Sequence, residues 1–197
     1  MEIYHAGSRA LQNAFGSTAL ADRLAAKTRR EHFSDSDKAF IESAGFFFLA
    51  TASADGKPDC SFKAGPRGFV RILAPDLLVF PDYDGNGMFR SLGNIKDNPF
   101  VGMLFIAMSD QPKRLRVNGR ALVALDDALL SSFAGAQAIV RVTPEHIFPN
   151  CPRYIPDLVA ETESIYLPRE KAAPTEPAWK SFDDFKDVVP PRRPTKV

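Results

Sequence analysis

The chain has 197 residues, of which 45% are apolar and 25% charged, with a formal charge of +1 at neutral pH. That length and apolar content suit one good core and hence one domain, and the near-neutral balance gives no bulk pull toward nucleic acid or an anionic membrane. No apolar run approaches the roughly eighteen residues of a membrane span, and the start Met1-Glu2-Ile3-Tyr4-His5 lacks the basic-then-apolar order of a signal peptide, so a cytoplasmic protein is expected.

Residues 1–33 read as a helical arm. Ser17 can cap a helix in which Leu20 and Leu24 share a face, with Arg23, Lys27, Arg29 and Arg30 around and beyond it. Ser34-Asp35-Ser36-Asp37 is a second cap; the helix from Lys38 to Ala44 turns Phe40 and Ile41 inward, and Gly45 closes it. Sheet follows. Phe46 to Ala52 is continuously apolar, as expected of a strand buried on both faces, and Asp55-Gly56 is the strongest hairpin signal in the chain. The returning strand, 58–63, alternates, so Ser61 and Lys63 share one face and Cys60 and Phe62 the other. A lysine and a serine on one face suit a wet surface as well as a ligand. Residues 69–73 and Leu77 to Phe80 are two further strands.

After Phe80 comes Pro81-Asp82-Tyr83-Asp84-Gly85-Asn86-Gly87, then Met88, Leu92 and Ile95 at helical spacing, stopped by Asn98-Pro99. A glycine-rich loop running into a helix whose first turn carries Arg90 and Ser91 has the donors and the dipole direction of an anion site, and it also suits a plain turn. The dinucleotide fingerprint fails, because Arg90 stands where its third glycine belongs. Strands are expected at 101–106, at 114–123 with Arg114, Arg116 and Asn118 on one face and a bulge at Gly119 beyond which the alternation shifts, and at 138–143; a short helix is expected over 126–134. Some six or seven short strands without regular β-α alternation indicate an antiparallel barrel.

Six of the sixteen prolines lie at or beyond Pro168, where apolar residues thin out into an extended or disordered arm, although Trp179, Phe182, Phe185 and Val188 recur every three residues as a small patch that can dock. Cys60 and Cys151 lack paired spacing and read as free thiols, and His5, His32 and His146 form no ligand cluster, so no metal site is expected. Lys63, Arg90 and Arg114 come from separate elements and together strengthen the anion reading. No nucleophile-base arrangement or carboxylate pair stands near them, which leaves the chemistry to a bound cofactor.

The blocks Phe47-x-Leu49-Ala50-Thr51-Ala52, Asp55-Gly56-x-Pro58, Ser61-x-Lys63, Phe80 to Gly87 with Arg90 to Ile95, Asn98-Pro99-x-Val101-Gly102-x-Leu104-Phe105 and Arg114 to Ala121 together closely resemble the FMN-binding split barrels related to pyridoxamine 5′-phosphate oxidase, over roughly residues 33–155. The resemblance implies a mainly β (α+β) fold, a six-stranded antiparallel split β-barrel with short flanking helices. It divides the chain into a helical arm (1–33), an FMN-binding split-barrel domain (34–167) and a proline-rich arm (168–197). It also implies a homodimer with FMN at the subunit interface.

By position, Ser61 and Lys63 match the flavin-contacting strand, and Pro81 and Asp82 the strand end that meets the ring or ribityl chain. Asn86 belongs to the same cofactor loop. Arg90 and Ser91 match an Arg-Lys pair on the FMN phosphate, with serine replacing the lysine. Arg114 matches a glutamine that contacts the flavin ring, where an arginine favours the anionic reduced flavin. Arg116, Arg153 and Tyr154 are substrate-facing candidates, although Cys151-Pro152-Arg153 suits a dimer-packing turn equally. The tail shows no match to the substrate-binding block of true pyridoxamine phosphate oxidases. The resemblance therefore implies an FMN-dependent oxidoreductase working through flavin N5 on an unidentified small molecule, with NAD(P)H as a candidate donor. A non-catalytic FMN carrier or redox sensor, a haem-binding split barrel and a purely structural dimerisation domain are the alternatives. The haem reading lacks an axial histidine between residues 33 and 145.

Overall fold

The computed structural model of the chain describes residues 3–83, 85, 87–158 and 175–189. Helices α1 (Ala6–Ala14), α2 (Thr18–Thr28) and α3 (Asp35–Ser43) lead into β1 (Phe46–Ala52), β2 (Pro58–Ala64), β3 (Arg71–Ala74) and β4 (Leu77–Tyr83). Helix α4 (Arg90–Asp97), β5 (Phe100–Ala107), β6 (Lys113–Ala124) and β7 (Ala136–Pro149) complete the barrel. The strands form one antiparallel sheet of seven, not six, in the order β2-β1-β5-β6-β7-β4-β3; the short edge strand β3 hairpins back onto β4.

Phe47 fills the middle of the core, its ring centroid 5.0 Å from Phe80, 5.1 Å from Phe105 and 5.9 Å from Phe69. These rings join strands from both ends of the sheet order, so the sheet must curl to bring them together. Burying each such side chain contributes roughly 1.5–3 kcal/mol.

Several local expectations are corrected. Strand β1 is not buried on both faces: Phe47, Leu49 and Thr51 point inward, while Phe46, Phe48 and Ala50 remain at least partly open. On that outward face Phe62 of β2, 59% exposed, stacks on Phe46 at 5.3 Å and meets Phe48 edge-on at 5.8 Å. An apolar run cannot reveal whether a second layer covers it. The helix expected over 126–134 is only a 3₁₀ turn, Leu130–Ser132. The register shift at Gly119 puts the extra residue, Glu145, on β7, and the inward alternation of Leu115, Val117, Gly119 and Ala121 in β6 continues unbroken. Glycine is required there, since a Cβ would lie 2.2 Å from the Thr143 carbonyl oxygen.

Ser34 caps α3 in a capping box with Asp37, which starts that helix three residues before the expected Lys38. Both carboxylate oxygens of Asp37 also accept from Arg30 Nη2, at 2.7 and 2.9 Å. Arg30 exchanges backbone bonds with Ile147 of β7 at 2.9 and 2.8 Å, which ties the N-terminal arm to the barrel. Of the proline-rich arm, 175–189 are described. Its Trp179 and Phe185 rings pack edge-on at 5.8 Å, and its Asp184 and Asp187 pair with Lys27 and Arg23 of α2. No helix among the described residues is long and apolar enough to cross a membrane.

Candidate functional site

The two halves of the barrel part between β2 and β4, and α4 covers the opening. Strand β4 continues three residues past the expected end at Phe80, to Tyr83, which carries Pro81 and Asp82 into the wall of the opening. Beyond it, Gly87 has φ of +71°, and Phe89 is the N-cap of α4 in a left-handed conformation with φ of 48°. This turn starts α4 at Arg90 rather than at Met88, which lies 63% exposed outside the helix. Leu92 and Ile95 bury one face of α4, and Asn94 Nδ2 donates to Thr51 Oγ1 of β1 at 3.0 Å. The first turn of α4 is thereby held over the inner face of β2.

That inner face carries Asp59, Ser61 and Lys63, paired across the ladder with Thr51, Leu49 and Phe47. With Phe69, Pro81, Asp82, Phe89, Arg90, Ser91 and Gln137 they line a cavity of about 650 Å³, within the size range of small-molecule sites. The structure thus brings Ser61, Lys63, Pro81, Asp82, Arg90 and Ser91 together. Asn86 lies outside the described residues.

The cavity is not the electropositive well that three convergent cations suggest. Lys63 Nζ lies 3.5 Å from Asp82 Oδ1, and Arg90 Nη2 lies 3.2 Å from Asp59 Oδ1. Asp82 is 7% exposed and also accepts from Gln137 Nε2 at 2.9 Å, while Gln137 donates to the Tyr83 carbonyl at 3.1 Å. Ser91, 6% exposed, is hydrogen-bonded to Asp59 Oδ2 at 3.2 Å and to Ser61 Oγ at 3.0 Å.

Arg114, Arg116, Arg153 and Tyr154 do not line this cavity. Arg114 and Arg116 pair across the ladder with Ile106 and Leu104 on the outward face of the sheet. Arg114 Nη2 donates to the Cys151 carbonyl at 2.7 Å, and burial, with Arg116 nearby, presses its guanidinium below its ordinary pKa. Arg116 approaches the Phe148 ring at 6.0 Å. Arg153 lies over the Tyr154 ring at 5.6 Å in the turn after β7, where Tyr154 has φ of 69°.

Two cavity residues escape the sequence reading. Asp59 shares the period of Ser61 and Lys63 and is visible to anyone looking for an acid on that face. Gln137 sits between two alanines on a strand that reaches β4 only through the sheet topology, and nothing in the sequence marks it.

The family profile described as pyridoxamine 5′-phosphate oxidase matches residues 33–156. A search of curated proteins found no match. Among solved structures, a candidate pyridoxamine 5′-phosphate oxidase from Lactobacillus delbrueckii is 22% identical with a TM-score of 0.50, over 61% of this chain and 98% of that one. An FMN-binding protein from Syntrophomonas wolfei subsp. wolfei is 9% identical with a TM-score of 0.46, over 74% of this chain and 95% of that one. HutZ, the haem storage protein from Vibrio cholerae, is 18% identical with a TM-score of 0.41, over 60% of this chain and 95% of that one. The first likeness supports the fold alone, since one fold hosts many functions. The profile match spans the helix that caps the cavity and both strands that wall it, and on that match the chain belongs to the pyridoxamine 5′-phosphate oxidase family.

Proposed function

We propose that the protein is an FMN-dependent oxidoreductase acting on a small molecule, as a homodimer with reduced nicotinamide as electron donor. The observation that carries this reading is the meeting of Ser61 and Lys63 on β2 with Arg90 and Ser91 in the first turn of α4, in one cavity of about 650 Å³. Membership of the family supports it. The lining suits the cofactor: hydroxyls and cations for its polar chain and phosphate, and Phe69, Pro81, Phe89 and Leu92 as apolar surface for a flat ring.

When bound, FMN supplies hydride or electron transfer at its N5 atom. The chain's own residues bind and orient. Arg90 and Ser91 would offer a guanidinium fork and a hydroxyl at the phosphate end, where Asp59 also engages both. Lys63, held near Asp82, places a cation beside the wall formed by Pro81. The outward face with Phe46, Phe48 and Phe62 is the surface a second copy would cover, and there Arg114 and Arg116 would serve the partner's cleft.

An absorbance scan of freshly purified protein from 300 to 700 nm, with mass identification of the released group, tests the reading. A flavin spectrum with FMN released supports it, and turnover with reduced nicotinamide separates an enzyme from a carrier. A Soret band, or a colourless protein that takes up no flavin on titration, overturns it.

A further inference from the structure

Asp59 engages the two donors that suit a phosphate best. Its Oδ1 lies 3.2 Å from Arg90 Nη2, and its Oδ2 lies 3.2 Å from the Ser91 hydroxyl. The Asp59 side chain is only 17% exposed and Ser91 is buried against it, so the carboxylate is seated among its partners and does not trail into solvent. The strand fixes it further: Asp59 is paired with Thr51, whose hydroxyl holds Asn94 of the same helix. The other cation of the cleft, Lys63, faces Asp82. Each cation lining the cavity therefore already has a carboxylate within ion-pair range.

A phosphate dianion set on Arg90 and Ser91 meets the negative charge of Asp59 at both donors. A ligand that ends there in a neutral hydroxyl meets no such repulsion, and it can donate a hydrogen bond to the carboxylate. We propose that Asp59 is a specificity-determining residue that disfavours phosphate-terminated ligands, so that the cleft discriminates little between FMN and riboflavin. This rests on the flavin reading above. The chemistry separates the ends of the ligand: recognition falls on the ring and ribityl chain, and the phosphate adds little because its attraction to Arg90 is offset by its repulsion from Asp59.

The test titrates the wild-type protein, Asp59→Asn and Asp59→Ser with FMN and with riboflavin, reading flavin fluorescence, with thermal melting to establish that each variant is folded. An asparagine keeps an oxygen to accept from Arg90 while removing the charge. Removing one unit charge about 5 Å from a dianion raises FMN affinity about tenfold, and riboflavin affinity changes less than about threefold. A preference for FMN over riboflavin that stays unchanged in both variants, or moves toward riboflavin, overturns the inference, since Asp59 then only orients Arg90. If neither the wild type nor a variant binds either flavin, the flavin reading fails first and this inference falls with it.

Discussion

Arg29 Nε donates to His146 Nδ1 across 2.6 Å, which fixes the buried imidazole with its proton on Nε2. That Nε2 is buried with no hydrogen-bond partner among the described residues. Burial, and then the charge of Arg29, hold His146 below its ordinary pKa, so the folded protein keeps it neutral. Below about pH 6.5 the unfolded chain takes up a proton that the folded chain refuses. Stability present above that pH is therefore lost progressively as the pH falls toward the lowered folded value. We expect His146→Gln, which retains an acceptor for Arg29, to flatten this dependence. The check is denaturant unfolding of both proteins from pH 8 to pH 5: the advantage of the wild type over the variant shrinks with acidification, and a constant gap refutes the assignment.

Removing the cations of the cleft should weaken flavin binding in different ways. Arg90, whose side chain is 64% exposed, adds little to the fold, so on the proposed flavin reading Arg90→Ala should lower FMN affinity about tenfold or more while the melting temperature holds. Lys63→Ala removes the charged partner of buried Asp82, and it should destabilise the protein by about 1–3 kcal/mol as well as weakening FMN. Titration and melting of both variants separate the two effects.

Gly119→Ala should be poorly tolerated, although alanine is the mildest of changes. Its methyl would meet the Thr143 carbonyl at 2.2 Å and the Pro144 Cα at 2.9 Å, both backbone atoms of the neighbouring strand. Separating β6 from β7 at their register shift costs about 3 kcal/mol or more, read as a lowered denaturation midpoint.

A charge in the aromatic patch of the outward face should break the proposed dimer. Phe62→Asp puts a carboxylate against Phe46 and Phe48 in a copy that associates, while in a monomer the same position is already open to water. Sedimentation should show a dimer for the wild type and a monomer for the variant, with flavin affinity falling in step. Two monomers, or two dimers, would contradict the assignment of this face.

The barrel was legible because its turns and periods are local. Asp55-Gly56 makes the β1–β2 hairpin, with Gly56 at φ of +83°, and the alternation of 58–63 sets Asp59, Ser61 and Lys63 on one face. What alternation cannot say is which face borders the cleft, because that depends on how the sheet curls. Arg114 therefore groups with Lys63 and Arg90 by charge, whereas the structure seats it on the other side of the sheet beside Cys151. Asp59 was legible in position and missed in role, since a search for phosphate donors passes over a carboxylate among them. The turn at Leu130–Ser132 misled for another reason: the short apolar cluster there packs Phe133 and Leu129 under β4 and β7 without needing helical turns.

The order of strands has a mechanical consequence. The cavity's two walls, β2 and β4, are separated along the hydrogen-bonded sheet by β1, β5, β6 and β7, so no ladder bond crosses the cleft itself. Across the gap the walls are joined by side chains, Lys63 to Asp82 directly and Ser61 to Ser91 by way of the helix. Widening the gap would therefore break no ladder bond, only these side-chain contacts, and its limit is the core packing of Phe47 on Phe80.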